Sequence, residues 1–338
     1  MTPAHRGDGA DPAPAPGPPV PPPPLLPPTL PPTPTPPPVA SEPGAAPWQR
    51  IAVGVPGMEF EARPPSQYAF DFPDSECDGW STDALTLRFA SVRGAKHRYY
   101  RQPRQDAARA AVHEATDSIV FAVADGVSSA SESHQGAVEA CRAAVERILH
   151  LLDRAPGPLD AADVAAHAAE RLRQLAQWRL GVTEPGPADV ARLYATTLVA
   201  GAVRPTAGGL GVELFRIGDS GAWILDRAAG GYRPLFGSKT GSDALLVTNE
   251  VSPLPRIPDR LETATARLEA AGALLVGTDG FGDPLGEGDG RVGGLFARYL
   301  GTPPPPLWLG HVLDFTRETF DDDRTLLALW PRSEAAPR

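Results

Sequence analysis

Residues Ile119 to Ser129 read IVFAVADGVSS: five apolar residues with a β-branched and aromatic bias, then Ala124-Asp125-Gly126, then a serine-rich turn. A short apolar run bounded by turn residues predicts a buried strand. That strand ends on a carboxylate. Gly126 lets the backbone turn tightly or come close to a ligand, and the segment after it leads into a helical pattern. An acidic side chain at the rim of a core can meet a cation or a reacting group. Asp-Gly is also a common turn, so the neighbouring sequence has to show whether the arrangement recurs.

Working outward, Ala84 to Val92 (ALTLRFASV) alternates as a strand does and stops at Gly94. Ala95 to Arg104 follows, with Lys96, His97, Arg98, Arg101 and Arg104 preceding Gln105-Asp106. It is the one dense basic cluster. A second short run, Ala107 to Ala111, leads through a turn at Thr116-Asp117 into the strand quoted first. Beyond it, Ser131 to Leu152 places Ala137, Cys141, Ala144, Val145, Ile148 and Leu152 at helical spacing, and Asp160 to Trp178 predicts a second helix. Gly181 to Ala188 reads as a loop. Ala195 to Val203, Val212 to Ile217 and Gly221 to Leu225 read as a meander of three strands. Gly237 to Pro258 is polar and aperiodic, the pattern of a flap beside a site. Leu274 to Gly277 is a strand ending in Thr278-Asp279-Gly280; Val292 to Tyr299 and Trp308 to Thr319 predict helices; Thr325 to Trp330 is a last strand, preceded by Asp321-Asp322-Asp323. Strands and helices come in blocks, which favours an α+β fold.

Of 41 prolines in 338 residues, 20 fall within residues 1–47, where large apolar residues are almost absent. Such a segment cannot bury enough surface to offset its ordering entropy. Residues 1–47 are thus expected to be a disordered tail of polyproline II character, either a plain flexible extension or a ligand for a proline-reading domain. Residues 48–82 are expected to form an irregular extension, an edge strand or a lid packing on the core; residues 83–332 form the main domain, and 333–338 a C-terminal tail. A net charge of -10 argues against nucleic acid as partner, because phosphate backbones are met by basic stripes. The same acidity suits cation binding or plain solubility. Cys77 and Cys141 have no paired spacing, which points away from zinc and disulfide frameworks and toward a reducing compartment. No apolar run approaches the ~18 residues of a membrane span, and no secretory signal pattern is present. A cytoplasmic location is expected.

Four acidic positions share one design: Asp125 after IVFAVA, Asp219 after VELFRI, Asp279 after ALLVGT, and Asp322 just before TLLALW. Each carboxylate lies at the boundary of an apolar strand. Four independent turns would give this pattern. So would one convergent site, in which case the carboxylates tolerate each other only with cations between them, and all-oxygen ligands favour Mg²⁺ or Mn²⁺.

The order Gln105-Asp106, VFAVADGVSS, ATTLVAG with FRIGDSGAW, LLVGTDGFGDPL and DDDRTLLAL resembles the metal-dependent protein phosphatases, the PPM or 2C-type serine/threonine phosphatases, over roughly Asp83 to Pro331. A His and basic residues before Gln-Asp resemble the bacterial subgroup. The resemblance implies a four-layer α-β-β-α sandwich of two antiparallel sheets flanked by helices. It also implies two Mn²⁺ or Mg²⁺ ions held by Asp106, Asp125, the Gly126 carbonyl, Asp279 and Asp322, with Asp219 and Asp279 offering a third position. Arg101, five residues before Asp106, matches the family's phosphate-binding arginine, whose fork of donors suits phosphate oxygens. The implied chemistry is hydrolysis of phosphoserine and phosphothreonine in proteins by a water activated between two cations, with Arg101, Asp106 and Asp125 at its centre. The implied substrates are phosphoproteins, targets of a serine/threonine kinase.

Three positions depart from the family pattern. Val127 stands where eukaryotic relatives often have a His, leaving the leaving-group acid open among His97, His134 and water. Gln105 replaces a common Glu, and the residue after the final metal Asp, usually Asn, is Asp323, so the ligand lies among Asp321, Asp322 and Asp323. A regulatory module of the same fold with weak or no turnover, and a phosphatase of small phosphoesters, are the rival functions.

Overall fold

The computed structural model describes residues 49–58, 63–65, 71–154, 157–237 and 252–332. The expected tail 1–47, residues 333–338 and the greater part of the expected flap, 238–251, lie outside the described residues. Two antiparallel sheets form the centre. One has six strands in the order β1 (Ser75–Ser81), β2 (Leu85–Val92), β11 (Arg324–Pro331), β10 (Gly272–Gly277), β7 (Gly221–Asp226) and β8 (Tyr232–Pro234). The other has five, in the order β3 (Ala107–His113), β4 (Ser118–Ala124), β5 (Leu198–Thr206), β6 (Gly209–Ile217) and β9 (Glu262–Leu268).

The strand sequences show why there are four layers. Antiparallel strands usually alternate apolar and polar residues because one face is wet. Here β4 is apolar throughout, and its side chains divide between two cores. Val120, Ala122 and Ala124 pack under α2 (Ser133–Arg154), α3 (Ala161–Leu180) and α4 (Pro187–Tyr194), whereas Ile119, Phe121 and Val123 enter the layer between the sheets. The six-stranded sheet does the same. Leu327 and Leu329 of β11 face the other sheet, while Leu326, Ala328 and Trp330 face α5 (Asp279–Leu285), α6 (Arg291–Tyr299) and α7 (Pro306–Leu313). Both faces of the central strands are therefore dry. At ~1.5 to 3 kcal/mol per buried large apolar side chain, this double burial is the main source of stability.

The structure corrects several expectations. Gly221 to Leu225 does not continue a meander: β5 and β6 are a hairpin in the five-stranded sheet, and Gly218-Asp219-Ser220 carries the chain across to β7 in the other. Ala195 to Thr197 precede β5 instead: the Ala195 carbonyl accepts from Val127 N, Thr196 exchanges backbone bonds with Leu254, and Thr197 N donates to the Asp125 carbonyl. The loop expected to Ala188 already turns into α4 at Pro187, whose fixed φ suits the first helical turn. The helix expected from Trp308 to Thr319 spans only Pro306–Leu313, because Arg324 donates to the Leu313 and Phe315 carbonyls and Arg50 to the Asp314 carbonyl, satisfying the helix end there. Ser75–Ser81, within the stretch expected to be irregular or edge, is the edge strand β1. Strands β8 and β9 and helix α5 have no counterpart in the sequence reading.

Candidate metal centre

Strand register places the acidic positions at one end of the sandwich. Ala107 pairs with Ala124, so Asp106 at the entry to β3 lies beside Asp125 at the exit of β4. In the facing sheet Gly277 pairs with both Gly221 and Leu326, bringing the exit of β10, the entry to β7 and the entry to β11 together. Asp279, Asp219 and Asp322 stand at these three points. Carboxylate oxygens of Asp125, Asp219 and Asp279 lie within 4.8 Å of one another. Asp279 and Asp322 also line one cleft of about 180 Å³.

Asp125 is held through its backbone. Thr197 Oγ1 accepts from the Asp125 N–H at 2.9 Å, and the Asp125 carbonyl accepts from Thr197 N and Thr196 Oγ1, both at 2.8 Å. Thr197 Oγ1 also lies 2.9 Å from Ser220 Oγ, tying the Asp125 turn to the Asp219 turn. A side chain at 126 would place its Cβ 2.8 Å from the backbone of Ser133, so only glycine lets α2 begin this close to Asp125. Across the sheets, Thr278 Oγ1 donates to Asp106 Oδ2 at 2.8 Å and accepts from Thr325 N at 3.1 Å.

The electrostatics are those of crowded anions. Burial pushes the Asp106 carboxyl well above the usual carboxylate range, Asp323 and Asp279 add to this, and the Thr278 hydroxyl opposes it. Asp125 is raised in the same direction by burial first and then by Asp106, Asp279 and Asp322. Gln105 Oε1 and Ser133 Oγ, on residues flanking this pair of acids, are buried without a partner. Converging oxygens that bind protons for want of positive charge, beside orphaned polar atoms, form a donor set suited to hard divalent cations.

Asp321 to Asp323 divide by role. Asp323 is buried against the backbone N–H groups of Gly94 and Gln105 and against His97, whereas the Asp322 side chain is 45% exposed at the cleft. Asp322 thus faces the other carboxylates. His97 is wedged between the two: burial alone would lower its pKa, but Asp323, Asp322 and Asp106 outweigh this and raise it. His134 sits edge-on to Phe72 at 4.5 Å, and burial lowers its pKa to about 4. Arg101 is exposed in a left-handed conformation (φ 59°) at the end of α1 (Ala95–Tyr100), with Nε donating to the Pro64 carbonyl. Register thus brings Asp106, Asp125, Gly126, Asp219, Asp279 and Asp322 to one end, while the Arg101 guanidinium is turned toward Pro64. Sequence reasoning missed Thr197, Thr278 and Asp323 as the groups that fix these acids; the adjacency of Asp323 to Asp322 was the one visible signal.

From the paired acids runs an open cleft of about 280 Å³, lined by Asp219 and Asp279 at one end and by Trp223, Tyr232, Phe236 and Asp283 beyond. A family profile described as protein phosphatase 2C matches residues 93–304. The chain belongs to the protein phosphatase 2C family. A bacterial serine phosphatase superposes with a TM-score of 0.52 at 14% identity, over 74% of this chain and 99% of that one. The serine/threonine phosphatase of S. agalactiae gives 0.50 at 16% identity, over 73% and 100%. The catalytic domain of the serine/threonine phosphatase PstP, solved with 2 manganese ions, gives 0.47 at 19% identity, over 74% and 99%. At these identities the first two likenesses bear on the fold, and they agree with the pair of antiparallel sheets between helices. No curated protein matches the chain significantly.

Proposed function

We propose that this phosphatase 2C chain hydrolyses phosphoserine and phosphothreonine in proteins, with two Mn²⁺ or Mg²⁺ ions and a third position at Asp219 and Asp279. The observation that carries the reading is the convergence of acids from both sheets, with Asp106 and Asp125 driven to bind protons where cations would relieve them. Asp106, Asp125, the Gly126 carbonyl, Asp279 and Asp322 would hold the two ions. Bound there, divalent cations lower the pKa of water and offset charge on phosphoryl oxygens. Thr197 and Thr278 keep the acids aimed, and the apolar layer behind them keeps bulk water on the cleft side only. Val127 has no titratable group, His97 is engaged with Asp322 and Asp323, and His134, packed on Phe72 with its pKa lowered to about 4, is neutral near pH 7, so the leaving alkoxide takes its proton from water in the cleft.

Arg101 is proposed for the substrate phosphate because the family resemblance implies that role, and its pairing in the structure is compatible with it. Of the four arginines between 93 and 104, Arg93 and Arg98 pair with Asp74 and Arg104 with Glu76, while among the described residues Arg101 has no carboxylate partner. A fork of this kind pairs with phosphate oxygens. The domain plan of a proline-rich tail over 1–47, an extension to 82 and a catalytic domain to 332 belongs to this proposal, as does a cytoplasmic location. The described residues contain no helix long and apolar enough to cross a membrane, and both cysteines are free thiols.

Manganese-dependent release of phosphate from an aryl phosphate, and faster release from phosphoserine and phosphothreonine peptides than from metabolite phosphoesters, is the test. Turnover that survives both chelation and Asp125→Asn would sink the proposal.

A further inference from the structure

The acids of the centre come from two different sheets. Asp106 and Asp125 flank β3 and β4, whereas Asp279 and Asp322 flank β10 and β11. Between the sheets lies a layer of aliphatic and aromatic side chains, whose non-directional contacts fix a separation less sharply than hydrogen bonds do. A two-ion site needs that separation fixed.

Asp323 stands where it can fix it. Its side chain is 2% exposed, and its two oxygens are used on two sheets: Oδ1 accepts from Gly94 N at 2.6 Å, just past β2, and Oδ2 accepts from Gln105 N at 2.5 Å, just before β3. Gln105 is the residue next to Asp106. The His97 ring closes the arrangement, with Nδ1 2.8 Å from Asp323 Oδ1, off the line of a regular hydrogen bond, and Nε2 3.7 Å from Asp322 Oδ1. The third acid segment rests on the same residue, since a Cβ at Gly280 would lie 1.8 Å from the Asp323 carbonyl oxygen. Asp106, Asp279 and Asp322 are thus each one residue or less from something Asp323 or His97 touches.

We propose that Asp323, paired with His97, is a positioning residue that clasps the two sheets and sets the spacing of the two cations. The proposal rests on reading Asp106, Asp125, Asp279 and Asp322 as the metal carboxylates. It also gives the Asp that stands at the family's usual Asn position a role of its own, because both of its side-chain oxygens accept from backbone N–H groups and an Asn has only one such oxygen. Asp323→Asn keeps the shape but turns one acceptor into a donor, which then faces the N–H of Gly94 or Gln105, leaving a buried donor unsatisfied.

The test uses the full chain as wild type, Asp323→Asn, His97→Asn and the double variant, stripped of metal and titrated with Mn²⁺ alone by calorimetry and by electron paramagnetic resonance. Each single variant is expected to weaken at least one Mn²⁺ site about 10- to 100-fold. The Mn–Mn spin coupling should change, and kcat on an aryl phosphate should fall with KM little altered. The double variant should be no worse than the weaker single, as two parts of one clasp require. Variants that melt lower yet bind Mn²⁺ with wild-type affinity and coupling overturn the clasp. Should Asp323→Asn fail to fold, His97→Asn carries the same readouts, and wild-type Mn²⁺ binding in it overturns the proposal. A wild type that binds no Mn²⁺ overturns the reading of the site and the clasp with it, whereas binding shared equally by wild type and variants overturns the clasp alone.

Discussion

Replacing Asp125 with Asn should stabilise the metal-free protein while abolishing turnover. Carboxylate oxygens of Asp125, Asp219 and Asp279 lie within 4.8 Å of one another. At that separation and an effective dielectric of ~20, a like-charge pair costs about 3.5 kcal/mol. Asp125 faces two such partners. Proton uptake relieves part of this, as the raised pKa of Asp125 records, so the gain realised by a neutral isostere near neutral pH should be about 2 to 3 kcal/mol. The sign follows from linkage. A carboxyl whose folded-state pKa is raised favours the folded state at low pH and disfavours it as pH rises toward that pKa, so the advantage of Asn grows with pH and vanishes below the ordinary carboxylate value of 3.8. Thermal melts in chelator at pH 8 should show Asp125→Asn above wild type by about 4 to 6 °C. Adding Mn²⁺ should raise wild type and leave the variant nearly unmoved, inverting or closing the gap. A variant that melts below wild type in chelator, or that still gains stability from Mn²⁺, refutes the argument that these acids are crowded for a cation.

Three further outcomes are expected. Arg101→Ala should lower kcat/KM on phosphopeptides about 10- to 100-fold with no change in melting temperature, since its side chain is exposed, and Arg101→Lys should recover only part because the bidentate fork is lost; unchanged kinetics would remove Arg101 from the phosphate site. Thr278→Val strips Asp106 of a buried donor and Thr325 N of an acceptor, and should lower stability in urea by about 1 to 3 kcal/mol with m unchanged, while Thr278→Ser restores most of it. His134 is held neutral, with its pKa lowered from 6.5 to about 4, so its contribution is complete above pH 6.5 and is lost as pH falls toward 4. The metal-free wild type should therefore lose up to about 3 kcal/mol relative to His134→Leu between pH 7.5 and pH 4.5; parallel pH profiles for the two proteins would show that the ring is not buried as neutral imidazole.

The chain order of the acids was legible because each sits where an apolar strand stops. Elements whose stability comes from neighbours were not. Helix α5, DGFGDPL, contains two internal glycines and a proline, and is held by Phe281, which packs edge-on to Trp223 and Phe296. Strand β9, ETATARL, is polar because it is an edge with much of its length exposed, and its pairing with β6 gives it its shape. The division of Asp321 to Asp323 was equally hidden. Three adjacent aspartates look alike in sequence; what separates them is that one side chain is buried against two N–H groups and an imidazole, and the next reaches the cleft.

IVFAVADGVSS by itself determined that a strand is buried on both faces and ends in a carboxylate, because an unbroken apolar run has no wet side to offer. Which acids would meet it was decided by tertiary structure. Convergence depends on two sheets stacking with the same ends aligned, on Gly218 to Ser220 crossing between them, and on one buried aspartate joining segments that lie 218 residues apart in sequence. Local periodicity reports burial, but a distance between two sheets exists only once they have packed.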